Sequence, residues 1–356
     1  MQRYQRQIQM PEIGMSGQRK ISNARVLLVG VGGLGSPAAL YLAAAGVGTL
    51  GLIDFDIVDV SNLQRQVLFV SSDAGTPKVS AAKVRLQQLN PEIKIQIFTE
   101  KLTLENALNL FSQFDYVLDG ADNFATRFLV NDASFFAKVP LVSASVLNFE
   151  GQLAVYNYLG GPCYRCLFSE PPPAGSVPSC AEVGILGTMP GLLGTMQANE
   201  VLKLILGLDQ PSRSKLFIWD GLSNEMTTLQ IQKNSECQLC GSNPKIKNLK
   251  EEHFVCSTDQ VIQQISEIEL QKGISDKKFQ ILDVRDLSEL AVSKLKFDFH
   301  IPLGTLEKNY QQLSQETPIL VYCQSGGRSM KACQFLKSKG YHVLNLNGGI
   351  QGLTKI

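Results

Sequence analysis

The apolar residues of the first half of this chain come in two rhythms. Val26-Leu-Leu-Val29 and a second run ending at Asp54 are short and uninterrupted, as suits strands buried on both faces of a parallel sheet. The stretch after Gly35 and residues 76–89, 104–111 and 123–136 carry helical spacing, with Pro77 near the start of the second and Asn90-Pro91 past its end. Residues 93–98 alternate as a strand, 116–122 form a strand ending in acidic residues, and 141–145 and 151–156 are further strands. This order predicts an α/β fold, a largely parallel sheet with helices on both faces. Residues 1–23 read as one or two short polar helices carrying Arg3 and Arg6, a solvated lead-in on pattern alone. Residues 190–206 form an apolar helix expected at a subunit or domain interface. A strand pair at 215–220 and 226–232 closes this region.

The turn after the first strand carries the chemistry. In Gly30-x-Gly32-Gly33-x-Gly35, Gly30 allows a tight turn, Gly32 lets a phosphate approach the backbone, and Gly35 permits close helix-to-strand packing. The helix N-terminus attracts the anion and Asp54 would accept from ribose hydroxyls. The prediction is a Rossmann-like nucleotide-binding domain. The glycines alone favour NAD. Asn62, Arg65, Gln66 and Lys78 follow, however, and so many phosphate-binding side chains suggest a triphosphate. Asp119 and Asp122 fall at a strand's carboxyl end, where they either cap the next helix or bind magnesium.

Composition narrows the class. The chain has 356 residues, long enough for two domains, and with 18% charged residues and a net charge of +1 it offers no basic face for nucleic acid. The uncharged stretch 26–53 is long enough for a bilayer, but its glycines and Pro37 favour a buried strand–helix–strand. The N-terminus has no apolar signal region, so a cytoplasmic protein is expected. Eight cysteines then point to metal or thiol chemistry rather than to a disulfide framework.

Cys163-Tyr-Arg-Cys166 and Cys237-Gln-Leu-Cys240 are two C-x-x-C pairs. Together they suit a structural tetrahedral zinc; independent redox pairs or four unrelated buried thiols are the alternatives. The Pro-, Gly- and Ser-rich segment 169–180 reads as a surface loop ending in Cys180, where a helix N-terminus would stabilise a thiolate; an inert core thiol is the alternative. Residues 1–240 are thus read as one domain, the polar segment 241–253 as a linker, and 254–356 as a second, smaller α/β domain. In that domain strands at 279–285 and 317–323 end in charge and in Cys323. The loop Cys323-Gln-Ser-Gly-Gly-Arg328 then enters a helix at 329–337. Converging backbone N–H groups would lower the Cys323 pKa and make it a nucleophile. With one residue fewer than a C-x5-R phosphatase loop, the cradle suits a persulfide sulfur better than a phosphoryl group. Cys333 and Cys256 read as core thiols.

Arg3-Tyr-Gln-Arg-Gln7, the glycine loop, Asp54-Phe-Asp-Ile-Val-Asp-Val-Ser-Asn-Leu-Gln-Arg-Gln66, Lys78, Asp119-Gly-Ala-Asp-Asn123 and the paired knuckles resemble the MoeB/ThiF-like, ubiquitin-activating-enzyme-like adenylyltransferases. Residues 254–356 resemble a rhodanese domain, and the fusion is similar to the molybdopterin-synthase adenylyltransferase/sulfurtransferases. The resemblance implies ATP- and magnesium-dependent adenylation of the C-terminal Gly-Gly of a small ubiquitin-fold sulfur carrier, of the molybdopterin or thiamin type, and its conversion to a thiocarboxylate. It implies that Asp54 and Asp56 belong to the ribose side of the site, that Asn62, Arg65, Gln66 and Lys78 serve the phosphates, and that Asp122 and Asn123 lie by the magnesium. Arg6 would arrive from the partner in a homodimer. Asp283, Arg285, Gly326, Gly327 and Arg328 would frame the Cys323 persulfide, loaded from thiosulfate or a cysteine desulfurase, and Cys180 would be a crossover-loop cysteine. The usual rhodanese Gly-His-Ile-x-Gly-Ala stretch is reduced to His300-Ile-Pro302. The rival readings are an NAD-dependent dehydrogenase with structural zinc, and an adenylyltransferase whose second domain is only a scaffold.

Overall fold

A computed structural model describes residues 2–172, 184–208, 214–249, 262–275, 278–292, 295–350 and 353. By contacts the chain divides into two units, Met1–Cys256 and Ser257–Ile356.

The first unit is built on the central strand β1 (Arg25–Val29), whose Val26 to Val29 are buried on both faces. Helix α1 (Gln5–Ile8) and α2 (Gly14–Asn23) precede it, and α3 (Gly35–Ala45) returns the chain to β2 (Thr49–Ile53). There follow α4 (Lys78–Leu89), β3 (Lys94–Phe98), α5 (Leu104–Phe111), β4 (Tyr116–Asp119), α6 (Phe124–Ala137), β5 (Leu141–Leu147) and β6 (Glu150–Tyr156). The long helix α7 (Thr188–Leu206) precedes β7 (Lys215–Asp220) and β8 (Glu225–Gln230). Strand order is β3-β2-β1-β4-β5-β6-β7-β8. The first five strands pair in parallel and the last three are added antiparallel. Short turns join β5 to β6 and β7 to β8, whereas the long connection from β6 to β7 carries α7.

Much of the apolar surface of helix α7 is buried inside its own unit, where Leu193, Ala198, Val201 and Leu204 join the core formed with α3, β5 and β6, while Leu192 stays exposed. Gly194 is needed for this approach, since a side chain there would run into the Leu34 carbonyl. The lead-in is more than a solvated segment: Tyr4 is buried and accepts a 2.8 Å hydrogen bond from the Asn90 side chain. Among the described residues no helix is long and apolar enough to cross a membrane.

The second unit contains β9 (Gln263–Ile265), α8 (Glu267–Ser275), β10 (Gln280–Asp283), β11 (Phe299–His300), α9 (Leu306–Asn309), β12 (Ile319–Tyr322), α10 (Gly327–Ser338) and β13 (Val343–Leu346). Its sheet, in the order β11-β10-β12-β13-β9, is parallel throughout. Strand β12 lies at its centre and is wholly buried. The residue that follows it, Cys323, therefore sits at the carboxyl edge of the sheet.

Candidate active site

In the first unit one cavity opens at the carboxyl ends of β1, β2 and β4. Gly30, Gly32, Gly33, Asp54, Asp56, Arg65, Gln66, Lys78, Asp122 and Asn123 all line it. Gly30 holds a left-handed φ of 85°, the conformation the turn requires. Gly35 acts beneath the loop, where an added Cβ would collide with the Gly30 carbonyl. Asp54 organises the same loop by accepting the N–H groups of Val31 and Asp56, each at 2.9 Å. Burial pushes its carboxyl up from the ordinary value, and those two hydrogen bonds oppose the shift.

Two cations and an amide complete the lining. Lys78, at the first turn of α4, is buried and pairs with Asp56 at 2.8 Å. Arg65 is anchored to the Ser61 carbonyl at 3.1 Å. Gln66 is buried, and its Oε1 has no hydrogen-bond partner among the described residues, which suits a contact with a ligand donor. Asn62 and Arg6 do not line this cavity; Arg6 is exposed and turned toward Gln9. Cys180 lies outside the described residues.

The acidic pair at the end of β4 divides in an unexpected way. Neither carboxylate caps α6, because Asn123 does so, accepting the Thr126 N–H at 2.9 Å. Asp119 is fully buried and already committed to the Ala121 N–H at 2.9 Å, the Ser143 hydroxyl at 2.8 Å and the Arg127 guanidinium at 3.6 Å. That leaves Asp122 as the carboxylate facing the cavity. Sequence reasoning missed Arg127, which lines the same wall and stacks 5.6 Å over Phe124. Its signal was present: one turn into a helix that begins beside a phosphate site, a long cation reaches back toward the N-terminus.

The four knuckle cysteines gather about one point, with their Sγ atoms all within 4.8 Å of one another. Three of the pairs stand at 3.3, 3.5 and 3.8 Å. Thiolates at the corners of a zinc tetrahedron are about 3.8 Å apart for zinc–sulfur bonds of about 2.3 Å, so the arrangement fits that ion. The hydrogen bond shared with Cys166, then contact with Cys240 and burial, push Cys163 up. Its counterpart Cys166 is pushed down by Cys163, with the Asn234 N–H helping. A divalent cation removes this mutual hindrance. Ile246 is buried against the cluster, so the first unit continues past Cys240. Elemental analysis of reduced protein is expected to find one zinc per chain held by Cys163, Cys166, Cys237 and Cys240. Chelation should then lower the melting temperature of this unit, and an unchanged melting curve would contradict the assignment.

In the second unit the Gly326 N–H points at the Cys323 sulfur from 3.2 Å and the Ser329 hydroxyl from 3.4 Å. Burial alone would push this thiol up, but hydrogen bonds from Ser329 and the loop backbone hold it below the ordinary value. Gly326 supplies a left-handed φ of 94°, which aims the loop amides inward. Gly327 opens α10. Beneath the loop, Asp283 and Arg285 form a buried pair at 2.7 Å, and Asp283 also accepts the Tyr322 hydroxyl at 2.9 Å. The Arg328 guanidinium is gripped by Glu289 at 2.6 and 2.7 Å and approaches Asp286 at 3.3 Å. Arg328 in turn holds the Glu289 carboxyl down at about 2. Cys333 is buried inside α10, which pushes its thiol up, as its core reading requires. Cys256 lies outside the described residues. Because Ser329 lowers the Cys323 pKa, Ser329→Ala should slow iodoacetamide alkylation of Cys323 at pH 7 by about tenfold; equal rates would remove Ser329 from the thiolate's support.

A glycine-loop pocket lined by Arg65 and Lys78 on a Rossmann-like sheet with a four-thiol knuckle, followed by a cysteine cradle on a second parallel sheet, defines an adenylyltransferase joined to a sulfurtransferase domain. The comparisons agree: the ThiF family model matches residues 4–239 and the rhodanese-like domain model residues 266–355, so the chain belongs to the ThiF family and carries a rhodanese-like domain. The "Adenylyltransferase and sulfurtransferase MOCS3" of Danio rerio is 39% identical over 389 residues, covering 99% of this chain and 85% of its own length. That of Sus scrofa is 42% identical, covering 94% of this chain and 80% of its own. The "Sulfur carrier protein adenylyltransferase" of Thermus thermophilus is 43% identical over 72% of this chain and 96% of its own length. Among solved structures, E. coli MccB with MccA-N7isoASN shares the fold at a TM-score of 0.60 and 24% identity, covering 67% of this chain and 74% of that one.

Proposed function

We propose that this enzyme adenylates the C-terminal glycine of a ubiquitin-fold sulfur carrier with ATP and then converts the acyl-adenylate to a thiocarboxylate with sulfur carried on Cys323. The observation that supports this most is the convergence of the glycine loop, Asp54, Arg65, Lys78 and Asp122 on one cavity. In this reading the glycine loop and Asp54 position the nucleoside, while Arg65 and Lys78 neutralise charge that moves onto the departing pyrophosphate as the carrier carboxylate attacks the α-phosphate. Asp122 and Asn123 would hold a magnesium ion that screens the phosphates. At Cys323 the terminal sulfur of a persulfide attacks the acyl carbon and AMP leaves. A second thiol or reductant then breaks the disulfide to Cys323 and releases the thiocarboxylate.

A homodimer in which Arg6 completes the neighbouring site is part of the reading. Its support is the exposed apolar set Phe55, Ile57, Val60, Val67 and Val70 beside the cavity. A cytoplasmic setting and a carrier of the molybdopterin or thiamin type are likewise proposed, with thiosulfate or a cysteine desulfurase as sulfur source. Carrier-dependent exchange of labelled pyrophosphate into ATP tests the first half-reaction. Exchange with a carrier ending in Gly-Gly, and none with one lacking the last glycine, is the expected pattern. NAD binding without exchange would favour the dehydrogenase reading.

A further inference from the structure

The lysine of the nucleotide cavity already has an anion for a partner. Lys78 Nζ lies 2.8 Å from Asp56 Oδ2, and the two side chains are unequally placed, the lysine 6% exposed and the aspartate 51%. A buried ammonium left without a counter-charge is strongly destabilising. Asp56 supplies that charge from the solvent side of the pair, and both residues line the cavity. The backbone beneath them is pinned. Ile57 and Pro77 face each other antiparallel, and around them the Lys78 N–H donates to the Asp56 carbonyl, the Val58 N–H to the Thr76 carbonyl and the Gly75 N–H to the Val58 carbonyl, each at 2.9 Å. The Asp56 N–H donates to Asp54 Oδ1 at 2.9 Å, while Asp54 Oδ2 accepts the Val31 N–H of the glycine loop. Among the described residues the Asp56 carboxylate hydrogen-bonds to Lys78 alone. Rotation of that one side chain therefore breaks the ion pair and leaves the frame of the site intact. The half-exposed carboxylate can exchange its partner for water; the buried lysine cannot.

We propose that Asp56 is a placeholder for phosphate: its carboxylate holds Lys78 in the empty cavity, yields it to the phosphates of the nucleotide on binding, and takes it back as pyrophosphate leaves. Asp56 is then a positioning residue that acts on the reaction only through Lys78. One anion replaces another on a fixed cation, so the lysine is never left bare at either end of the cycle. Two effects follow from the competition. ATP binds less tightly than its contact with Lys78 alone would allow, because the ion pair must first be broken, and the leaving group departs against a returning carboxylate instead of from an unsatisfied charge. The inference rests on the reading of the cavity as an ATP site with Lys78 on the phosphates, and it differs from the ribose-side role that the resemblance implies for Asp56.

Calorimetry of magnesium-saturated ATP with the full chain tests the placeholder. Asp56→Asn removes the charge but keeps an oxygen able to accept from Lys78, and should bind ATP about fivefold more tightly than the wild type, the scale of a partly exposed ion pair. A ribose contact predicts weaker binding instead. In carrier-dependent pyrophosphate exchange the same variant should show a lower KM for ATP with no gain in kcat, as expected when ground and transition states are stabilised alike. In a Lys78→Gln background Asp56→Asn should change ATP affinity by less than twofold. Asp56→Ser decides the matter in the same way if Asp56→Asn does not fold. Unchanged or weaker ATP binding in the folded Asp56 variant, beside a wild type that binds ATP, would overturn the placeholder and leave the ATP reading standing. A fivefold gain that persists without Lys78 would assign the effect to direct repulsion between Asp56 and phosphate and overturn the exchange on Lys78. Absence of ATP binding to the wild type would overturn both the placeholder and the ATP reading.

Discussion

Lys78→Ala is expected to cut carrier-dependent pyrophosphate exchange by about a thousandfold, equivalent to about 4 kcal/mol of transition-state stabilisation. Lys78 is buried at the start of α4 and paired with Asp56, so its charge is set in place before nucleotide arrives and costs little reorganisation. The loss should appear in kcat more than in KM, because the charge it meets grows as pyrophosphate departs. Arg65→Ala should lose exchange in the same sense while keeping the fold. Exchange within a factor of three of wild type in Lys78→Ala would remove this lysine from the chemistry.

Cys323→Ala should leave exchange intact and reduce thiocarboxylate formation from thiosulfate by at least about a hundredfold, as expected when a covalent nucleophile is removed. Mass spectrometry of the carrier reads the outcome as replacement of a C-terminal oxygen by sulfur. In the proposed scheme the two half-reactions are assigned to different sheets, so exchange is expected to survive loss of the Cys323 thiol. Cys180→Ala should also retain exchange and lose less thiocarboxylate. Thiocarboxylate at the wild-type rate in Cys323→Ala would leave the second domain as a scaffold.

Local signals carried much of this into the sequence. The apolar runs, the glycine spacing and the C-x-x-C pairs are short-range patterns that dictate their own conformation, and each is found where the pattern places it. Contacts between distant residues left no such trace. Nothing near Asp119 announces that Ser143 and Arg127 will consume its oxygens, and nothing in the 286–289 segment announces that Glu289 will grip Arg328. Nor does the polarity of residues 1–23 disclose that Tyr4 closes over Gly46, where an added Cβ would strike its ring. The apolar helix α7 shows a related limit: its hydrophobicity specifies burial but does not name α3 and the sheet of its own unit as the elements it packs on.

If Cys323 carries the sulfur as proposed, its depth bears on the order of events at the second site. The residue is only 1% exposed, so the unloaded thiol is recessed from any incoming acyl carbon. A sulfane sulfur bonded to it extends the reactive atom by about 2 Å. An empty domain is therefore a poor acceptor for the activated carrier, and one already bearing sulfur presents the outer atom first. On that proposed chemistry, recession of the cysteine would favour sulfur delivery before acyl contact and keep the carrier from being trapped as a dead-end thioester.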